Sequence, residues 1–187
     1  MSIDIYASPS FVGYSLWLVS SENAFQPFQR VMAEISEKYN GPVFSPHCTL
    51  AAGLNHDLET VISKLKVILS GKSTVRLKFE RIESSELYFK SAYALIDVSK
   101  PLLDLHKECV SAFELTDDCK SFMPHVSLFY GKVDSETKGE MITKIGEILS
   151  KLDIDLANFV CEADTVEIWD TNGTVDQWSL KATISLQ

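Results

Sequence analysis

The sequence predicts an α+β fold: two lobes of one domain, each a sheet with helices on its outer side, facing each other across a cleft. Three observations predict it. After one N-terminal strand, the apolar periodicity runs helix, strand, helix and hairpin, and then repeats that order. Two ten-residue windows match, and 78 residues separate their histidines, His47 and His125. No Gly/Pro/Ser-rich linker divides the halves, so the expected repeat, about 22–98 and 100–186, lies within a single domain of 187 residues.

Residues 13–20 read as a strand. Over 22–39, Phe25, Phe28, Met32, Ile35 and Tyr39 form one helical stripe, with Ser20 or Ser21 as cap and Pro27 near the first turn. Pro42 and Pro46 then block helix and lead into a strand at 47–54. Asp57 caps a second helix over 57–70, striped by Leu58, Val61, Ile62, Leu65 and Leu69 and stopped at Gly71. Val75, Leu77 and Phe79 alternate with Thr74, Arg76 and Lys78, which marks a strand with one buried face and a solvated row of Lys and Arg. It returns as a strand through Ala94, Ile96 and Val98. The second round has helices over 100–115 and 135–151 flanking a Pro-led strand at 125–131. A closing hairpin follows, with its turn at Thr171, Asn172, Gly173 and Thr174 and Trp178 in the core.

Composition narrows the function. With 17 basic and 26 acidic residues the net charge is −9, against a protein that coats long nucleic acid through many phosphate contacts. No apolar run reaches the ~20 residues of a membrane span, and the N-terminal residues lack the pattern of a signal peptide. Cys48, Cys109, Cys119 and Cys161 are scattered without zinc spacing. They read as small buried residues of a reducing, cytoplasmic compartment, with a Cys109–Cys119 redox pair as the alternative.

The chemistry sits in the matched windows. Phe44-Ser45-Pro46-His47-Cys48-Thr49-Leu50-Ala51-Ala52-Gly53 aligns with Phe122-Met123-Pro124-His125-Val126-Ser127-Leu128-Phe129-Tyr130-Gly131, identical at five positions and hydroxyl for hydroxyl at a sixth. Residues i and i+2 of a strand share a face, so His47 points with Thr49 and His125 with Ser127. If the strands are symmetry mates about the cleft, two imidazoles and two hydroxyls converge. Imidazoles of ordinary pKa ~6.5 can divide general acid and general base, and hydroxyls can donate to oxyanions. That set suits in-line displacement at phosphorus. A zinc site would need more ligands than are in sight, so neither metal nor cofactor is expected. His56 and His106 lack such hydroxyls and read as surface or half-buried structural residues.

The paired H-x-[ST] motifs, His47-Cys48-Thr49-Leu50 and His125-Val126-Ser127-Leu128, resemble those of the 2H phosphoesterases, and their flanks resemble the plant and fungal cyclic phosphodiesterase branch. The resemblance spans nearly the whole chain. It implies a bilobal, pseudo-twofold α+β structure of two antiparallel sheets facing a central cleft. It further implies metal-independent hydrolysis of ADP-ribose 1″,2″-cyclic phosphate or nucleoside 2′,3′-cyclic phosphates to a phosphomonoester. By the match, His47 and His125 are the acid–base pair and Thr49 and Ser127 hold the non-bridging oxygens. Trp17 and Tyr130 flank the substrate, and Phe89 is a further candidate for the pocket wall. Tyr130 lies an odd number of residues after His125, so it reaches the same face only if the strand ends, which Gly131 favours. The partner expected is a small cyclic nucleotide or ADP-ribose cyclic phosphate, bound by a monomer without long nucleic acid or membrane. The alternatives are processing of RNA 2′,3′-cyclic ends, 2′-5′ ligase-like activity, and a nucleotide-binding module without turnover.

Overall fold

In the computed structural model, residues 12–21, 24–116, 119 and 121–186 are described. The signal-peptide reading of the first residues, and the first two residues of the helix expected from 22, lie outside them.

Local chemistry sets the element boundaries. β1 is Tyr14–Val19 and β2 is Cys48–Leu54. α1, Gln26–Tyr39, begins later than expected because Pro27 occupies its first turn, where a missing N–H costs nothing. Neither Ser20 nor Ser21 caps it; the Ser21 N–H donates to Asp164 Oδ1 at 2.8 Å instead. α2, Leu58–Leu69, has the expected cap, Asp57 accepting from the Thr60 N–H at 2.9 Å. β3 is Val75–Ser84, β4 Ala92–Ile96, α3 Lys100–Ala112 and β5 His125–Phe129. α4, Ser135–Lys151, is capped by Asp134 in the manner of α2. β6, Val160–Ala163, is an additional strand, too short for alternation to announce it. β7, Thr165–Asp170, and β8, Ser179–Ser185, form the closing hairpin. No helix among the described residues is long and apolar enough to cross a membrane.

The expectation of two separate sheets is overturned. The eight strands of the described residues form one antiparallel sheet in the order β6-β3-β4-β5-β2-β1-β7-β8. The two motif strands do not face each other across a gap. They lie side by side, joined through the registered pair Cys48↔Val126. Each hairpin also joins the half opposite to the expected one: β4 carries β3 against β5, and β7 crosses back to β1. Alternation fixes which face of a strand is buried but is silent about its partner.

One face of this sheet carries the core. Leu16, Leu18, Cys48, Leu50, Val126 and Leu128 cluster with Phe28 of α1, Leu65 of α2, Leu105 of α3 and Ile145 of α4. His106, expected as a surface or half-buried structural residue, belongs to this layer: it is buried, its Nδ1–H donates to the Leu50 carbonyl at 2.7 Å, and its ring stacks on Phe122 at 3.8 Å. Cys48, Cys109 and Cys161 are buried thiols whose pKa values burial pushes up to about 12, and no disulfide joins Cys109 to Cys119. Alternate residues of β1, β2, β4 and β5 turn to the opposite face, where the helices are absent and a cavity opens.

Candidate active site

The two windows place their side chains by strand alternation. Cys48 and Val126 point into the core, so His47, Thr49, His125 and Ser127 point out of it and line a single cavity of about 530 Å³. Trp17, Phe89 and Tyr130 line the same cavity, so every side chain singled out in the sequence for a site comes to one place. β5 ends at Phe129, which lets Tyr130 turn to the cavity side despite its odd spacing. A Cβ at residue 131 would stand 2.6 Å from the Phe129 ring, so the turn there requires Gly131.

Both histidines are held alike. His47 Nδ1 is 2.6 Å from the Ser45 carbonyl, and His125 Nδ1 is 2.8 Å from the Met123 carbonyl, each two residues upstream. A carbonyl only accepts, so each Nδ1 carries the proton and each Nε2 keeps a lone pair. Burial lowers the pKa of both imidazoles, that of His47 to about 3. The Nδ1 hydrogen bonds act in the opposite direction but do not win, and His125 depresses His47 further while Lys90 depresses His125.

The aromatic surroundings differ between the halves. On β1, Trp17 pairs in register with Thr49, and its indole lies flat on the His47 ring at 3.5 Å and 2°. Trp169 stacks behind Trp17 at 4.3 Å. On β4, Tyr93 pairs in the equivalent register with Ser127 and meets His125 edge-on at 5.2 Å. Tyr130 is stacked on Phe44 at 3.7 Å, and Phe89 stands edge-on to Tyr130 at 5.3 Å. Ser127 Oγ donates to the Phe89 carbonyl at 2.9 Å.

Several cavity residues were missed or misplaced by sequence reasoning, Trp178, Ser15, Thr171 and Lys90 among them. Trp178, expected in the core, lines the cavity, with its ring 5.8 Å from Phe89 and 6.0 Å from Trp17. It precedes β8, an edge strand whose Leu180 is 46% exposed, so the alternation there marks an outer layer. Ser15 and Thr171 share a buried hydroxyl contact of 3.0 Å at the cavity wall. Lys90, within a 3-10 turn (Tyr88–Lys90), is the one Lys or Arg among the described lining residues. Among the described residues, no group of three or more His, Cys, Asp or Glu comes together as a metal site would require.

Residues 12–186 match the model of a family described as cyclic phosphodiesterase-like protein. The chain belongs to that family. Its membership carries the 2H phosphoesterase superfamily with it. This cyclic phosphodiesterase-like protein is 22% identical over 166 residues to a cyclic phosphodiesterase of Arabidopsis thaliana, covering 84% of its own length and 91% of the relative. Among solved structures it resembles TT0787 of Thermus thermophilus, with TM-score 0.58 at 12% identity over 92% of this chain and 97% of that one. It also resembles E. coli LigT, solved in complex with NADP+, with TM-score 0.55 at 10% identity over 97% and 99% of the two chains. At those identities the two structures share the fold.

Proposed function

We propose that this protein hydrolyses small ribose cyclic phosphates, ADP-ribose 1″,2″-cyclic phosphate or nucleoside 2′,3′-cyclic phosphates, to one phosphomonoester without a metal. The observation that carries the reading is the matched pair of imidazoles. Each is anchored through Nδ1 and presents Nε2 to one cavity that also holds Thr49 and Ser127.

In this reading His125 Nε2 takes a proton from the attacking water, and His47 Nε2 delivers one to the departing ribose oxygen. Both rings begin neutral, so the acid must first gain its proton. An anionic phosphate seated between the rings favours that, because an opposite charge stabilises an imidazolium. Thr49 donates to a non-bridging oxygen as charge builds on it, and Ser127 does so by turning its one proton from the Phe89 carbonyl to the phosphate. Phe89, Tyr130 and Trp178 supply an apolar wall for a base, and Trp17, already stacked with His47 and Trp169, lines the cavity beside them.

A panel of 2′,3′-cyclic nucleotides and ADP-ribose 1″,2″-cyclic phosphate, with products assigned by phosphorus NMR, tests the reading. Turnover to a single monoester that persists in EDTA is expected. No turnover of any member, or turnover abolished by EDTA, would overturn it.

A further inference from the structure

Among the described residues, Lys90 is the one Lys or Arg on the wall of an otherwise aromatic and neutral cavity, in a chain of net charge −9. Its ammonium stands 5.5 Å from the centre of the Tyr93 ring, close enough to His125 to depress that imidazole. No carboxylate among the described residues forms an ion pair with it. The nearby Glu83 is already taken by Arg81 Nε at 2.6 Å and by the Tyr93 hydroxyl at 2.8 Å. The backbone beneath Lys90 is pinned: its N–H donates to the Leu87 carbonyl at 3.0 Å, and its carbonyl accepts from Ser85 Oγ at 2.7 Å. An ammonium so placed beside a phosphate-binding site attracts negative charge to that side of the cavity.

The register says which charge. A scissile phosphate served by both motifs sits between β2 and β5. Lys90 projects over Tyr93 on β4, the next strand out. Strands lie ~4.8 Å apart, so Tyr93 and the ammonium over it belong to the strand beside that phosphate and not to the two motif strands. That offset fits a second phosphate carried elsewhere on the same nucleotide.

We infer that Lys90 binds a second anionic group of the substrate, and so selects cyclic phosphates carrying a further phosphate or diphosphate over unsubstituted nucleoside cyclic phosphates. The inference rests on the cyclic phosphodiesterase reading, and it decides between the two substrate types named there: ADP-ribose cyclic phosphate carries a diphosphate, and a nucleoside 2′,3′-cyclic phosphate does not.

The test compares adenosine 2′,3′-cyclic phosphate with its 5′-phosphorylated form. The wild-type protein should favour the 5′-phosphorylated compound in kcat/KM by about tenfold to a hundredfold, as a charge-assisted contact does, with the preference shrinking as salt rises. Lys90→Met should bring the ratio near one, and Lys90→Arg should restore it. A parallel calorimetric titration compares adenosine 2′-phosphate with adenosine 2′,5′-bisphosphate, which needs no turnover, and Lys90→Met should erase the tighter binding of the bisphosphate. A wild-type ratio near one, or a ratio that survives in Lys90→Met, overturns the inference. If neither cyclic compound is hydrolysed, the catalytic reading fails while the binding ratio still decides the role of Lys90.

Discussion

The half built around His47 and the half built around His125 share a backbone rule and differ in what surrounds it. In both, the ring is anchored by its own carbonyl two residues upstream and a hydroxyl follows two residues on. In the first half, the ring is clamped flat under Trp17 and is 5% exposed, while Thr49 makes no side-chain hydrogen bond among the described residues. In the second half, the ring meets Tyr93 edge-on and Ser127 Oγ is engaged with the Phe89 carbonyl. The motif therefore dictates orientation and tautomer. Neighbouring strands dictate proton affinity and the readiness of each hydroxyl.

The largest expected effect breaks the comparison if the halves are not both needed. His47→Ala and His125→Ala should each lower kcat by about 10²–10⁴, with little further loss in the double variant, because the two act as a unit. Single-turnover hydrolysis of a 2′,3′-cyclic nucleotide checks this, and a near-normal rate in either variant would leave one half without a role.

The hydroxyls sharpen it. Thr49→Val and Ser127→Ala should each cost on the order of 10² in kcat as lost oxyanion donors. Only Ser127→Ala should also lower unfolding free energy, by ~1–3 kcal/mol, because the Phe89 carbonyl loses its partner. Urea denaturation of the two variants side by side reads that difference.

A third measurement isolates the stacking. Trp17→Leu should admit water to His47 and raise its pKa from about 3 toward the ordinary value, while His125, under Tyr93, moves less. Proton NMR titration of the two rings follows them separately.

The smallest effect is on stability against pH. Both folded-state histidine pKa values are depressed, so the unfolded chain binds more protons below its own value of ~6.5. Their contribution is fully present above ~6.5 and is lost as pH falls through the folded pKa values, at up to roughly 1.4 kcal/mol per pH unit for each group. His47→Gln should flatten the fall of melting temperature between pH 6.5 and pH 4 compared with the parent.

Most elements, and the meeting of the candidate residues in one cavity, were legible in the sequence because their causes are local. Asp57 and Asp134 cap their helices in plain view, and strand alternation alone turns His47 with Thr49 and His125 with Ser127. What was not legible depends on partners distant in the chain. Nothing in β2 announces that Cys48 will lie beside Val126, so the pattern predicts two facing sheets where one continuous sheet forms. Tyr93 is hidden because the repeat offset carries Trp17 to Leu95, and only the registers Trp17↔Thr49 and Tyr93↔Ser127 show the correspondence. Lys90 sits in a short turn with no periodicity, and it reaches the cavity through the contact of Phe89 with Ser127.

The crossing of the hairpins has a consequence for assembly. Cut after β4, the N-terminal piece holds two strand pairs, β1 with β2 and β3 with β4, and nothing to join them, because the strand that bridges them is β5. The C-terminal piece has β5 without either neighbour and β7 without β1. Neither fragment can close a sheet or a cavity, but each supplies the edges that the other lacks. Mixed together, the two pieces should recover structure and turnover jointly, as complementary parts of one cooperative unit.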